Sequence, residues 1–322
     1  MILHVNDISN VGKAIVNGLR KNGIDAELIY LQKLKGLAWR DKVRTLIGEI
    51  MCIRDKAKKA KVVHIHYGFY GILGVIGSFP YILHCHGSDL NLNLKDPVLG
   101  PLTRLAIRKA KKVIYSTPDL MAKIILLRAD AIFLPNPVDT KFFKPFSREK
   151  LNEIKILSIS RLNKVKGIDT VFEAFKELKK VHPEIGIYSM GTGLEADHWR
   201  SSPYVDGFFE NIEHDKMPEF INQFDIIIGQ MASGAMGVSE LEAMACGKPV
   251  IVNFKYRGVY GKEPPVLYAE TSQDIVKWLL KLRDNRPAIS SLGQAARQWI
   301  ILFHDTQRVI TKLKSIYEIN ER

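Results

Sequence analysis

Short apolar runs alternate with stretches of helical periodicity along the whole chain. Residues 2–5 read as a strand, and 11–22 follow with Val11, Ile15 and Leu19 at helical spacing. Residues 26–30 predict a second strand, 42–59 a basic amphipathic helix, and 61–66 (KVVHIH) a buried strand. Another strand at 81–84 enters the loop HCHGSD. A basic helix at 102–111 precedes a strand at 113–115, and 131–134 lead into PNPVDTKFFKP. The pattern restarts after a charged, turn-rich stretch at 144–153. A strand at 154–159 is followed by a helix at 168–182 with apolar Val171, Phe175 and Leu178. A strand at 185–189 ends at the turn Gly191-Thr192-Gly193, and 225–229, 238–246 and 249–253 read as strand, helix and strand. From Thr271 the chain reads as helical, closing with one long segment at 290–318. Strands separated by helices need crossover connections and therefore pair in parallel. The pattern predicts an α/β fold in two similar halves, with no short repeat.

Composition agrees with two halves, because 322 residues exceed the usual size of one core. An apolar content of 46% and a charged content of 25% are those of an ordinary globular protein. Cys52, Cys85 and Cys246 lie far apart without metal-ligand or redox spacing, and are expected to be reduced thiols. The start, MILHVND, reads as a strand and not as a charged leader, so the expected location is cytoplasmic. The most apolar run, 70–81, is short, glycine-rich and holds Pro80, so it cannot span a bilayer.

Charge changes the picture. The net +13 belongs entirely to residues 1–150, which carry 25 Lys+Arg against 12 Asp+Glu, while residues 151–322 carry 22 of each. A field this lopsided suggests that the first half meets something anionic, such as a phospholipid surface, a phosphorylated acceptor or nucleic acid.

The strongest local motif is residues 234–251, GAMGVSELEAMACGKPVI: a glycine-bearing loop, a helix and a buried strand. The small residues Gly234, Ala235 and Gly237 permit close approach of a ligand to the backbone. The free N–H groups at the helix start, around Gly237 and Val238, favour an anion such as a diphosphate. Glu240 and Glu242, two residues apart, do not share a helical face, so at most one is expected to point at a ligand.

This segment resembles the signature of glycosyltransferase family 4, in which two glutamates flank a Gly-Phe-Gly turn. The second glutamate falls on Glu242, which the resemblance assigns to the donor's ribose hydroxyls. The first falls on Gly234, and Met236 stands where the family has phenylalanine. Residues 156–169, ILSISRLNKVKGID, resemble the family's Arg-Leu-x-x-x-Lys-Gly-x-Asp element, so Arg161 and Lys166 are expected to grip the donor diphosphate. Such cations stabilise the leaving diphosphate more as the glycosidic bond breaks than before, and losing one costs about 2–4 kcal/mol of barrier. His86-Gly87-Ser88-Asp89 resembles the His-Gly-x-Asp loop that borders the donor sugar, which places His86 at the reacting sugar and Asp89 on the sugar or acceptor side. Residues 135–143, with Pro137 for the usual glycine, match an architectural segment closing the N-terminal domain. Gly191 and Gly193 match a glycine turn facing the nucleotide. The first loop matches least: it has one glycine, Gly12, near the diphosphate or acceptor, and a plain helix start capped by Asn10 explains it equally well.

The resemblance implies the GT-B arrangement: two Rossmann-like domains facing a central cleft. Residues 1–147 are then the acceptor-side domain and 148–300 the nucleotide-sugar domain, with a C-terminal helix at 301–322 that packs back on the first. It further implies transfer of a sugar from a nucleoside-diphosphate sugar to an acceptor hydroxyl with retention of configuration. No metal or other cofactor is expected, since basic residues replace the cation and the sequence has no Asp-x-Asp triplet or ligand-spaced His/Cys/Asp cluster. The acceptor is expected to be a sugar or lipid-linked, with the basic stretches 54–61 and 104–112 docking peripherally on the inner face of an anionic membrane. A nucleotide-sugar epimerase shares this architecture, but no pair of acid/base groups can be assembled for it. A nucleic-acid-binding protein would need aromatics interleaved with the cations, and the basic helices lack them. A binding protein that kept the fold without catalysis has only Gly234 in its favour.

Overall fold

A computed structural model describes residues 1–32, 36, 38–146, 153–256 and 258–319, so part of the predicted stretch 144–153 lies outside the described residues. The chain folds as two compact units, Met1–Pro137 with Thr306–Arg322, and Val138–Asp305.

In the first unit, β1 (Ile2–Val5), β2 (Ala26–Ile29), β3 (Val62–His66), β4 (Ile82–Cys85), β5 (Lys112–Tyr115) and β6 (Ile132–Phe133) form one parallel sheet. Its order is β2-β1-β3-β4-β5-β6. Strand alternation sends Leu3, Val5, Val63, Ile65, Leu83 and Cys85 into an apolar core with Ile53, Leu73 and Ala106. The same alternation turns His4, His64, His66 and His84 to the opposite face, where all four are fully buried. Helix Val11–Lys21 meets helix Thr306–Tyr317 so closely that a Cβ on Gly18 would lie 2.7 Å from Ile310.

In the second unit, β7 (Lys155–Ser158), β8 (Gly186–Met190), β9 (Gly207–Phe209), β10 (Ile226–Ile228), β11 (Val250–Val252) and β12 (Leu267–Tyr268) form a parallel sheet in the order β12-β11-β10-β7-β8-β9. Both faces carry apolar cores, one around Leu157, Ile227, Met244 and Trp299, the other around Ile156, Phe175, Ile228 and Leu279. Such strands read as continuous apolar runs, as expected for a parallel sheet covered on both sides.

Two sequence expectations are corrected. The single helix at 290–318 is two, Arg286–Phe303 and Thr306–Tyr317. At the break the His304 carbonyl accepts from the Val138 N–H at 2.7 Å, and Val138 bridges to Asp305, so the backbone there pairs with a strand-like segment and not with a further helical turn. Asn10 sits in the left-handed region at φ 62° without a side-chain cap, and Asp7 Oδ1 instead accepts from the N–H of Gly12 at 2.8 Å. β9 and β12 were not foreseen, being too short to show periodicity. All three cysteines are free thiols. Among the described residues no helix is long and apolar enough to cross a membrane.

Candidate functional site

In open parallel sheets, ligands bind beyond the carboxyl ends of the strands where the strand order reverses. In the second unit that point lies between β7 and β10. The loop after β7 carries Arg161 and Lys166, and the loop after β10 runs through Gln230 to Gly237, where helix Val238–Ala245 begins. The loops that carry Arg161, Lys166, Gly234 and Gly237 therefore leave the same edge of this sheet.

Backbone stitching fixes these loops to one another. Leu162 N–H donates to the Thr192 carbonyl at 2.8 Å, and Glu195 N–H to the Leu162 carbonyl at 2.9 Å. A Cβ on Gly193 would come within 2.2 Å of the Leu162 carbonyl oxygen, and its φ of 153° already disfavours a side chain, so only glycine permits this approach. Met231 N–H donates to the Lys166 carbonyl at 2.8 Å, and Lys166 Nζ donates to Gln230 Oε1 at 2.8 Å. Arg161 is exposed, while Lys166 is half-buried. One cation is thus aimed by a side-chain partner, and the other is open to solvent.

Glu240 and Glu242 are both buried, and they differ in what they touch. Glu240 Oε1 accepts from the Gln230 N–H at 2.9 Å, and its carboxylate fills the space a Cβ would need at Gly229 and Gly237. Glu240 therefore builds the loop. Glu242 Oε1 receives His214 Nε2 at 2.9 Å, and burial raises its carboxyl above the usual range, partly offset by that bond. Gly234, at φ 71°, lies under the stem of Lys255, which pairs with Glu270 at 2.6 Å. Val238 opens the helix half-buried, and the first turn of a helix leaves backbone N–H groups without intrahelical partners. Gly191 is buried, its N–H donating to the Phe209 carbonyl at 2.7 Å.

In the first unit, the loop after β4 is organised by Asp89. Its carboxylate is fully buried and accepts from the backbone N–H groups of Gly68 at 2.9 Å, His86 at 2.9 Å, Gly87 at 2.8 Å and Leu90 at 3.0 Å. The geometry makes Asp89 a holder of the His86 loop, with no face turned to a ligand. Burial also raises its carboxyl, against the pull of the four N–H groups. Gly12 is buried, where a Cβ would press on Asp7 Oδ1 at 3.0 Å and on the His66 ring at 3.4 Å.

His86 is not alone. Its Nε2 lies 2.9 Å from His66 Nδ1, His66 Nε2 2.9 Å from His4 Nδ1, and His4 Nε2 3.2 Å from the Tyr317 hydroxyl. The same hydroxyl is 2.6 Å from His64 Nδ1, and His64 Nε2 is 3.2 Å from His84 Nδ1. Five imidazoles and one phenol thus form a continuous chain. Burial holds His4 and His86 down to about 3, and His64, His66 and His84 well below the usual range, so the rings are neutral. The expectation that no ligand-spaced histidine cluster is present does not foresee this one. The available signal was His-x-His twice, in HIH and HCH, on neighbouring parallel strands.

Two family patterns match the chain: "Glycosyl transferase 4-like domain" over residues 16–137 and "Glycosyl transferases group 1" over 139–299. Alpha-monoglucosyldiacylglycerol synthase of Acholeplasma laidlawii is 26% identical over 290 residues, covering 74% of this chain and 70% of that protein. An uncharacterised glycosyltransferase of Methanocaldococcus jannaschii is 24% identical over 179 residues, 52% of this chain and 45% of its own length. Among solved structures, sucrose-phosphate synthase from Thermosynechococcus elongatus superposes with a TM-score of 0.77 at 14% identity, covering 98% of each chain. Anabaena HepE in complex with UDP and glucose gives 0.72 at 15% identity, covering 99% of each. At such identities the structures speak for the fold, and the fold they share is this one. With its two halves matched by two adjoining patterns, the chain belongs to the glycosyl transferases group 1 family and is a glycosyltransferase of the GT-B type.

Proposed function

We propose that the protein transfers a sugar from a nucleoside-diphosphate sugar to an acceptor hydroxyl with retention of configuration. The observation that carries this reading is the convergence of Arg161, Lys166 and the start of helix Val238–Ala245 at the switch point of the second sheet. Two cations and a helix N-terminus at one edge suit a diphosphate whose charge grows as the sugar leaves. Glu242 is assigned to the ribose hydroxyls and His86 to the sugar. The incoming hydroxyl loses its proton to the leaving phosphate, and no metal is required at the diphosphate. HepE, of the same fold, has been captured with UDP-glucose, which supports a nucleotide-sugar donor.

A lipid acceptor at an anionic membrane surface is the second part of the proposal. Helix Trp39–Ala57 leaves Ile47 and Met51, one turn apart, 53% and 62% exposed, with Arg44, Arg54 and Lys58 exposed around them. Apolar side chains ringed by cations are the pattern of a helix lying in a membrane interface. The diacylglycerol-sugar activity in the name of the Acholeplasma relative points the same way.

The test pairs binding with turnover. A nucleoside diphosphate at a hundredfold over its Kd is expected to raise stability by about 2.7 kcal/mol. Selective stabilisation by one diphosphate, lost in Arg161→Ala and Glu242→Ala, supports the donor site, and a glycolipid product from the matching donor supports the acceptor. Stabilisation by single-stranded RNA alone would refute the reading. Sedimentation with anionic vesicles, lost when Ile47, Met51, Arg54 and Lys58 are replaced by aspartate, checks the membrane surface.

A further inference from the structure

We propose that His66, His84 and His86 form a site for one divalent transition-metal ion of the zinc type, at the carboxyl edge of β3 and β4. Three observations carry it. One ring nitrogen of each of the three lies within 4.8 Å of the other two. Two of the three far nitrogens are already held: His66 Nε2 pairs with His4 Nδ1 at 2.9 Å, and His84 Nδ1 with His64 Nε2 at 3.2 Å. Ligating histidines characteristically have this second partner, which fixes the ring and the tautomer. Finally, His84 Nε2 is buried with no hydrogen-bond partner, and a stranded buried polar atom costs stability until something meets it.

His66 and His86 need little adjustment. His66 Nδ1 and His86 Nε2 stand 2.9 Å apart. Two nitrogens on a tetrahedral zinc, each about 2.0–2.1 Å from the ion, sit about 3.3 Å apart, so this pair moves by a few tenths of an ångström, and the third nitrogen, within 4.8 Å of both, draws in by up to about 1.5 Å. Neutral imidazole is the ligating form, and burial keeps these rings neutral. A set of three nitrogens selects zinc, cobalt, nickel or copper over magnesium and calcium, which take oxygen. His86 is the half-buried member of the three, which leaves a fourth position on its side for water. The ion would tie the ends of β3 and β4 and set the His86 ring. All three ligands belong to the first unit, so this inference does not depend on the assignment of Arg161 or Lys166.

The experiment uses the full chain without a polyhistidine tag, stripped with a chelator. Cobalt is titrated by visible absorption, zinc competes for it, and elemental analysis gives the stoichiometry. The expected result is one ion per chain, cobalt bands of low coordination number, and a zinc-dependent rise in melting temperature. His84→Gln and His86→Gln are each expected to weaken binding at least about 100-fold, while the surface variant His198→Gln leaves it unchanged. Because His84 is buried, folding of its variant is checked by circular dichroism; half-buried His86 supplies the second arm. Absence of stoichiometric binding to the folded wild-type chain overturns the proposal, as does binding that survives both glutamine variants.

Discussion

His214 Nε2 and Glu242 Oε1 are 2.9 Å apart, with Glu242 inside the second unit and His214 about one-third exposed at its surface. Phe143 stands edge-on to the imidazole at 5.3 Å and steadies it. The pair puts a removable partner on the carboxylate assigned to the ribose. Because burial raises Glu242 and His214 lowers it, removing His214 raises it further. Hydroxyls donate best to an ionised carboxylate, so nucleotide affinity is expected to fall as pH drops through the raised Glu242 value. In His214→Ala that loss begins at higher pH. Calorimetric titration of the nucleotide between pH 5 and 8 checks both.

Arg161→Ala is expected to lower kcat by 30-fold to 1000-fold, about 2–4 kcal/mol of barrier, with little change in melting temperature because the side chain is exposed. Lys166→Ala is expected to lower kcat similarly and to destabilise the fold by about 1 kcal/mol as well, since Gln230 loses its donor. Steady-state kinetics beside thermal melts separate the two.

Gly193→Ala forces a Cβ against the Leu162 carbonyl and into a disfavoured φ. A loss of at least about 2 kcal/mol is expected from denaturant unfolding. Nucleotide binding is expected to weaken in the variant that remains folded, because the same contact holds the Arg161 loop.

The buried imidazoles predict acid sensitivity. An unfolded histidine takes a proton near pH 6.5, whereas folded His4 and His86 resist until about 3. The unfolded state therefore binds more protons in that window, and stability is lost as pH falls through it, by up to about 1.4 kcal/mol per pH unit for each histidine. Urea unfolding at pH 7, 6 and 5 gives the slope, and saturating zinc is expected to steepen it.

Tyr317→Phe removes the hydroxyl shared by His64 and His4. The stranded ring nitrogens are expected to cost about 1–3 kcal/mol, seen as a lower urea midpoint.

The sequence carried the strand and helix order because apolar runs and helical periodicity are local signals: 168–182 against Ile168–Val181 differs by one residue. Arg161, Lys166 and Glu242 were singled out through their motifs alone. What each carboxylate touches was not legible, because Asp89 bonds to the N–H of Gly68 across 21 residues and Glu240 to Gln230 across 10. The histidine chain was illegible for a related reason. Its members span His4 to Tyr317, and only parallel register sets His4 beside His64 and His66 beside His84.

The chain leaves the first unit at Pro137 and returns at Thr306. On the ribosome the second unit is therefore made whole before the first receives its last helix. Until Tyr317 emerges, His4 and His64 lack the hydroxyl that they share. The half whose synthesis begins first thus waits for a helix that is made after the whole of the second unit.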